Sequence, residues 1–144
     1  MNQIACPGDG SVVVESEAKG VVTARNRNGD LVWSWHAPEP GYQVWSVESS
    51  GEGKYTGAIL SYPGSSRNEE FVYLDADGNV LWNRTLDKST WDVSQSEDGK
   101  KIAIPGSGNI SYFDETGKQL GTTVAGRGPL HTVLSDNGTT IAAL

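Results

Sequence analysis

The chain has 144 residues, with 18 Asp and Glu against 11 Lys and Arg for a net charge of -7. Such a surface repels phosphate backbones and anionic lipid, which argues against a nucleic-acid partner. No apolar run approaches the roughly 18 residues of a membrane span, so membrane insertion is not expected. The N-terminus shows neither the basic nor the apolar region of a signal peptide. The single cysteine, Cys6, rules out an internal disulfide and a cysteine-based zinc cluster, and reads as a small buried thiol.

Taken in chain order, the sequence repeats itself. Aligning Gly10, Gly53, Gly99 and Gly138, which are 43, 46 and 39 residues apart, brings IACPGDGSVVV, VESSGEGKYTGAI, VSQSEDGKKIAI and VLSDNGTTIAAL into register. A second set, Gly29, Gly78 and Gly117, lies inside TARNRNGDLVW, VYLDADGNVLW and SYFDETGKQLG. Two glycine registers that agree within a few residues define one repeating unit.

Each unit reads as four short strands. In the third, Trp91 to Gln95 leads through a turn at Glu97, Asp98 and Gly99 into Lys101 to Ile104. Asn109 to Asp114 then turns at Thr116 and Gly117 into Lys118 to Thr123. Gly beside Asn or Asp supplies the positive φ of a tight hairpin, and Ile110, Tyr112 and Leu120 alternate with polar neighbours as half-buried strands do. No segment offers an amphipathic helix of ten residues or so, and the expectation is an all-β chain. A β-sandwich would not require its turns to recur in similar pairs. Four strands in about 40 residues mark a propeller blade.

The expected layout is a single propeller segment over 1–144, with blades at 3–43, 44–90 and 91–130 and a half-blade at 131–144. An array of about three and a half blades leaves apolar edges open. The expectation is therefore a piece of a larger propeller or a homo-oligomer that completes its ring with another copy. The insert from Ser61 to Glu70 in the second unit interrupts the pattern, as recognition loops do.

The units VYLDADGNVLW, SYFDETGKQLG and SQSEDGKKIAIPGSG resemble the pyrroloquinoline-quinone-like (PQQ-like) and WD-like repeats of bacterial and archaeal surface or secreted propellers, over nearly the whole chain. That resemblance implies that a Trp four residues after the turn glycine docks one blade on another. The matching positions are Trp33, Trp82 and Gly121, so the interface after the third blade is expected to be looser. It also favours the cell surface or the outside of the cell, as do three glycosylation sequons at Asn83, Asn109 and Asn137.

Three residues are candidates for a ligand-facing ring at the channel rim. Trp45 and Trp91 stand eight residues before Gly53 and Gly99, and His131 lies near the corresponding place before Gly138. Asp75, Asp77 and Asn79 alternate as calcium-loop oxygens do, but without the bidentate Glu of such loops, and Asp, Asn and Gly also build hairpin turns. No cofactor is expected. The functional expectation is a non-catalytic scaffold for a protein or glycan. The alternative is a fragment of a propeller enzyme, either arylsulfotransferase-like, with His131 or His36 as nucleophile, or quinoprotein dehydrogenase-like, where the family's vicinal cysteine pair is missing.

Overall fold

The computed structural model describes residues 3–17, 19–64, 68–86, 90, 92–126 and 131–144. Among them there is no helix. The first sheet is formed by β1 (Ile4–Ala5), β2 (Val12–Glu17), β3 (Val21–Asn26) and β4 (Leu31–His36). The second comprises β5 (Gln43–Ser49), β6 (Thr56–Ser61), β7 (Glu70–Leu74) and β8 (Val80–Thr85). The third comprises β9 (Ser94–Gln95), β10 (Lys101–Pro105), β11 (Asn109–Asp114) and β12 (Gln119–Val124). A two-stranded unit, β13 (Thr132–Leu134) with β14 (Ile141–Ala143), ends the array. All pairings are antiparallel between sequence neighbours. These sheets are partial propeller blades: three of four strands and a half-blade.

The turns explain the repeat. Before Gly29, Gly78 and Gly117 stands a residue whose side-chain oxygen takes two backbone amides. Asn26 Oδ1 accepts from Asn28 and Asp30 at 2.9 and 3.0 Å, Asp75 Oδ1 from Asp77 and Asn79 at 2.9 and 2.8 Å, and Asp114 Oδ1 from Thr116 and Lys118 at 3.0 and 3.0 Å. The turn glycines themselves sit at φ 85°, 80° and 83°, where a side chain is strained. A second set of turns links the blades along one rim. Gly51 N donates to Glu97 O and Glu97 N to Asp136 O, both at 2.9 Å.

Strand alternation divides the second blade between two cores. Ala58, Leu60, Val72 and Leu74 pack with Ala5, Val14, Val22 and Ala24 of the first blade. Ile59, Phe71 and Tyr73 pack with Ile102, Ile104 and Phe113 of the third. A blade buried on both faces reads as the continuous apolar run AIL in β6, not as alternation.

Tryptophans join the blades as the resemblance implied. A Cβ on Gly78 would lie 2.9 Å from Cδ2 of Trp33, and one on Gly117 2.8 Å from Cδ2 of Trp82. Each indole thus lies flat against the turn glycine of the next blade. Trp82 also donates from Nε1 to Glu115 O at 3.1 Å. Gly121 makes no such contact, and the core between the third blade and the half-blade is small: Ala103, Ile110 and Leu134 are its buried members. Thr132 Oγ1 is buried there without a hydrogen-bond partner among the described residues.

Three sequence expectations are corrected. Cys6 is exposed, because Ala5 and Pro7 take the inward positions and alternation turns the residue between them out. Of the expected first strand of the third blade, Trp91 lies outside the described residues and Ser94–Gln95 pair with β10, while Ser94 Oγ also accepts the Leu134 amide of the half-blade at 2.8 Å. The fourth strand runs from Gln119 to Val124, since Lys118 belongs to the Asp114 turn.

Tyr73 is wholly buried, stacked on Tyr55 at 5.5 Å. Its hydroxyl donates to Gly99 O or to Gln95 Oε1, the latter at 3.1 Å. Burial raises its pKa, so it remains a neutral donor. Tyr73→Phe removes the one donor that these two buried acceptors share and should cost about 1–3 kcal/mol, read as a lower urea midpoint at unchanged slope.

Candidate functional site

The inner strands β5, β9 and β13 and the rim turns enclose a cleft of about 230 Å³. Its lining includes Cys6, Glu48, Gln95, Glu97, Val133 and Asp136, so its character is acidic and polar. Gln95 crosses between blades here, donating from Nε2 to Glu48 O at 2.8 Å. Asp92, at the start of the third blade, accepts the Thr132 amide at Oδ2 over 2.9 Å and stands 3.7 Å from His131 Nδ1.

Glu48 is the group that sequence reasoning missed. Burial between the inner strands, reinforced by the neighbouring Asp92 charge, pushes its carboxyl up to about 7. The aligned positions in the third blade and the half-blade hold Ser94 and Val133, so a lone Glu on an innermost strand was the available signal. A carboxyl whose folded pKa lies above its ordinary 4.5 binds more protons folded than unfolded. Its contribution is therefore fully present below that value and is lost as pH rises towards about 7. Melting temperature should fall between pH 5 and 8, and Glu48→Gln should flatten that part of the curve. The turn carboxylates act elsewhere on the scale. For Asp114 the Thr116 hydroxyl, and for Asp98 the Lys100 amide, hold the carboxyl below the ordinary 3.8, so their contribution is lost only in stronger acid.

The three rim candidates have different surroundings. Trp45 is the extra residue of a β-bulge, since Val44 pairs with Leu60 and Ser46 with Ile59. The bulge turns its indole outward, leaving it 38% exposed. His131 is exposed, and its backbone pairs with Leu144. Trp91 lies outside the described residues. Trp45 and His131 thus stand on inner strands separated by the third blade. His36, the second enzymatic candidate, is exposed on β4 beside Ser34 Oγ at 3.2 Å.

Asp75, Asp77 and Asn79 form the turn before Gly78. Burial works to raise the Asp75 carboxyl, but the amides of Asn79, Asp77 and Gly78 outweigh it and hold the group below its ordinary value. Both Asp75 oxygens are engaged, Oδ1 by the backbone and Oδ2 by Asn79 Nδ2 at 3.1 Å. Among the described residues, no cluster of three or more His, Cys, Asp and Glu is placed to hold a metal ion. The same turn made with Asn26 in the first blade shows that the oxygen is needed for the hairpin itself.

Comparison with known proteins bears on the fold alone. No family model matches the chain, and no curated protein matches it. Among solved structures, the chain is similar to a protein of unknown function from Bacteroides caccae, with a TM-score of 0.61 and 15% identity over 94% of this chain and 50% of that one. It is also similar to a chain in the structure of a mitotic checkpoint complex, with a TM-score of 0.77 and 17% identity over 99% of this chain and 44% of that one. The present chain thus spans half or less of the solved chains it matches. Four-stranded antiparallel sheets in succession are common to the likeness and to the sequence repeat.

Proposed function

We propose that the chain is a non-catalytic β-propeller module of PQQ-like repeat type. It serves as an interaction scaffold for a protein or glycan at the cell surface or outside the cell. The observation that carries this reading is the uncovered edge of the half-blade, which a strand from a second copy or from further sequence of a larger propeller would complete. The outer edge of β14 has no partner strand among the described residues, and beside it Val133 is 67% and Leu144 92% exposed. The two faces of the second blade are covered by the first and third blades. An exposed strand edge backed by apolar side chains is a template for another β element.

The surroundings of the histidines support a role without catalysis. A histidine nucleophile needs an orienting partner in hydrogen-bond reach. The carboxylate beside His131, Asp92, stands 3.7 Å from Nδ1, beyond hydrogen-bond reach, while it accepts the Thr132 amide, and His36 has Ser34 beside it on the exposed strand β4.

Light scattering over a concentration series tests the open end. The mass should rise above the 15.4 kDa of one chain, and Val133→Glu should hold it at that value. A wild-type chain that stays monomeric at every concentration would contradict the reading.

A further inference from the structure

The two full blade interfaces carry matching clefts of different chemistry. Between the first and second blades, a cleft of about 250 Å³ is lined by Trp35, Leu60, Val72 and Val80, with Glu70 as its acid. Between the second and third blades lies one of about 230 Å³, whose lining includes Arg84, Asn109, Ser111 and Gln119. The turn-glycine registers set these side chains at equivalent positions. Trp35 is matched by Arg84, Leu60 by Gly106, Glu70 by Asn109, Val72 by Ser111 and Val80 by Gln119.

Packing alone does not ask for this exchange. Three aliphatic side chains give way to Gly, Ser and Gln, which forfeits apolar burial that the first interface gains. The acid gives way to an amide, so the second cleft holds a cation and, among the described residues, no acidic side chain in its lining. Arg84 Cζ sits 4.9 Å over the Phe113 ring, and Nη2 lies 3.3 Å from Gln119 Oε1. Its Nε and Nη1 meet no partner among the described residues. The carboxylate of Glu69, beside β7, accepts the Thr90 amide at 3.1 Å. In a chain of net charge -7, this leaves a guanidinium steadied on an aromatic ring and without a carboxylate of its own.

We infer that the cleft between the second and third blades binds one acidic sugar residue, a hexuronate, with Arg84 pairing its carboxylate and Asn109, Ser111 and Gln119 bonding its hydroxyls. A guanidinium fork matches a planar carboxylate with two parallel hydrogen bonds. A phosphate dianion would meet a single cation against the chain's net negative charge, and a free amino acid would bring an ammonium that no acid in the lining receives. The apolar part of the lining, Leu86, Ile104 and Pro105, suits the C–H face of a sugar ring. The cleft is smaller than the roughly 300 Å³ at which sites for drug-sized ligands begin, which suits one ring and not several.

The site deepens the reading of the chain as an interaction module, on which it rests, but it fails or stands separately: sugar binding is read on a single chain, the half-blade edge from mass. Titration calorimetry uses bacterially produced chain, in which Asn109 is bare, with D-glucuronate, D-galacturonate, D-glucose, acetate and inorganic sulfate at equal ionic strength. At least one uronate should bind one to one, about tenfold or more tighter than glucose, acetate or sulfate. Arg84→Gln should weaken that binding by about ten- to a hundredfold, and Arg84→Lys nearly as much, because an ammonium lacks the fork. Since Arg84 is exposed, its variants should melt close to wild type without ligand. Ser111→Val restores the aliphatic side chain of the first interface and should weaken binding independently. No saturable uronate binding, glucose bound equally well, acetate or sulfate bound as tightly, or uronate binding unchanged in Arg84→Gln or in Ser111→Val would each overturn the site.

Discussion

Trp82→Ala should destabilise the chain by about 3–5 kcal/mol, a loss of roughly 10 °C or more in melting temperature. The indole touches Phe71 at 4.9 Å and Tyr73 at 5.4 Å within its own blade and Phe113 at 5.9 Å in the next, and it covers Gly117. Truncation opens a cavity across the whole interface between the second and third blades and removes the hydrogen bond to Glu115. Because each blade contacts only its neighbours, the loss is felt locally. The third blade and half-blade should melt in an earlier transition while the first two remain folded. Calorimetry or amide exchange resolves the two. A single transition displaced by less than about 1 kcal/mol would mean that the indole is not what joins these blades.

The turn glycines give the second large effect, with an internal control. Gly29, Gly78 and Gly117 share nearly the same φ, 85°, 80° and 83°, so replacing any of them by alanine brings the same backbone strain, on the order of 1 kcal/mol. Only at Gly78 and Gly117 does the new methyl also strike an indole, at 2.9 and 2.8 Å. Gly78→Ala and Gly117→Ala should therefore lose about 1–3 kcal/mol more than Gly29→Ala. Urea unfolding of the three variants measures the difference directly. Equal losses at all three would leave strain as the whole effect and remove the docking slot from the account.

Much of this fold was legible because turn chemistry is local. Asn26, Asp75 and Asp114 each close a hairpin three residues before a glycine, and the spacing alone exposes the period, while the docking tryptophans follow from the resemblance to PQQ-like repeats. What alternation could not supply was which of a strand's two faces meets the neighbouring blade. Ala58, Leu60 and Leu74 stand in plain view in the sequence, yet that they face the first blade while Ile59, Phe71 and Tyr73 face the third is set only by packing. Cys6 was misjudged for the same reason, since apolar neighbours at Ile4 and Ala5 hide a one-residue choice of side. Glu48 lay beyond sequence reasoning because its carboxyl is raised first by burial between the inner strands and then by Asp92, 44 residues away in the chain.

The bulge at Trp45 shows the limit in another form. Alignment on Gly53 and Gly99 set it beside Trp91, but an extra residue in β5 decides where its ring points, and nothing in the spacing announces a bulge. The calcium reading of Asp75 to Asn79 rested on alternation of oxygens, a pattern that a hairpin closed by an Asp side chain produces unaided.

The central claim, that this array docks through its open half-blade edge, is tested most directly by amide exchange at β14. Val133 and Ala142 pair in the same hydrogen-bonded register as His131 and Leu144, which leaves the amides of Ile141 and Ala143 directed at the free edge. In dilute solution both should exchange freely, and protection should appear as concentration rises, in step with the mass. Exchange at Ile141 and Ala143 that stays fast while the mass doubles would place the contact elsewhere and contradict the account.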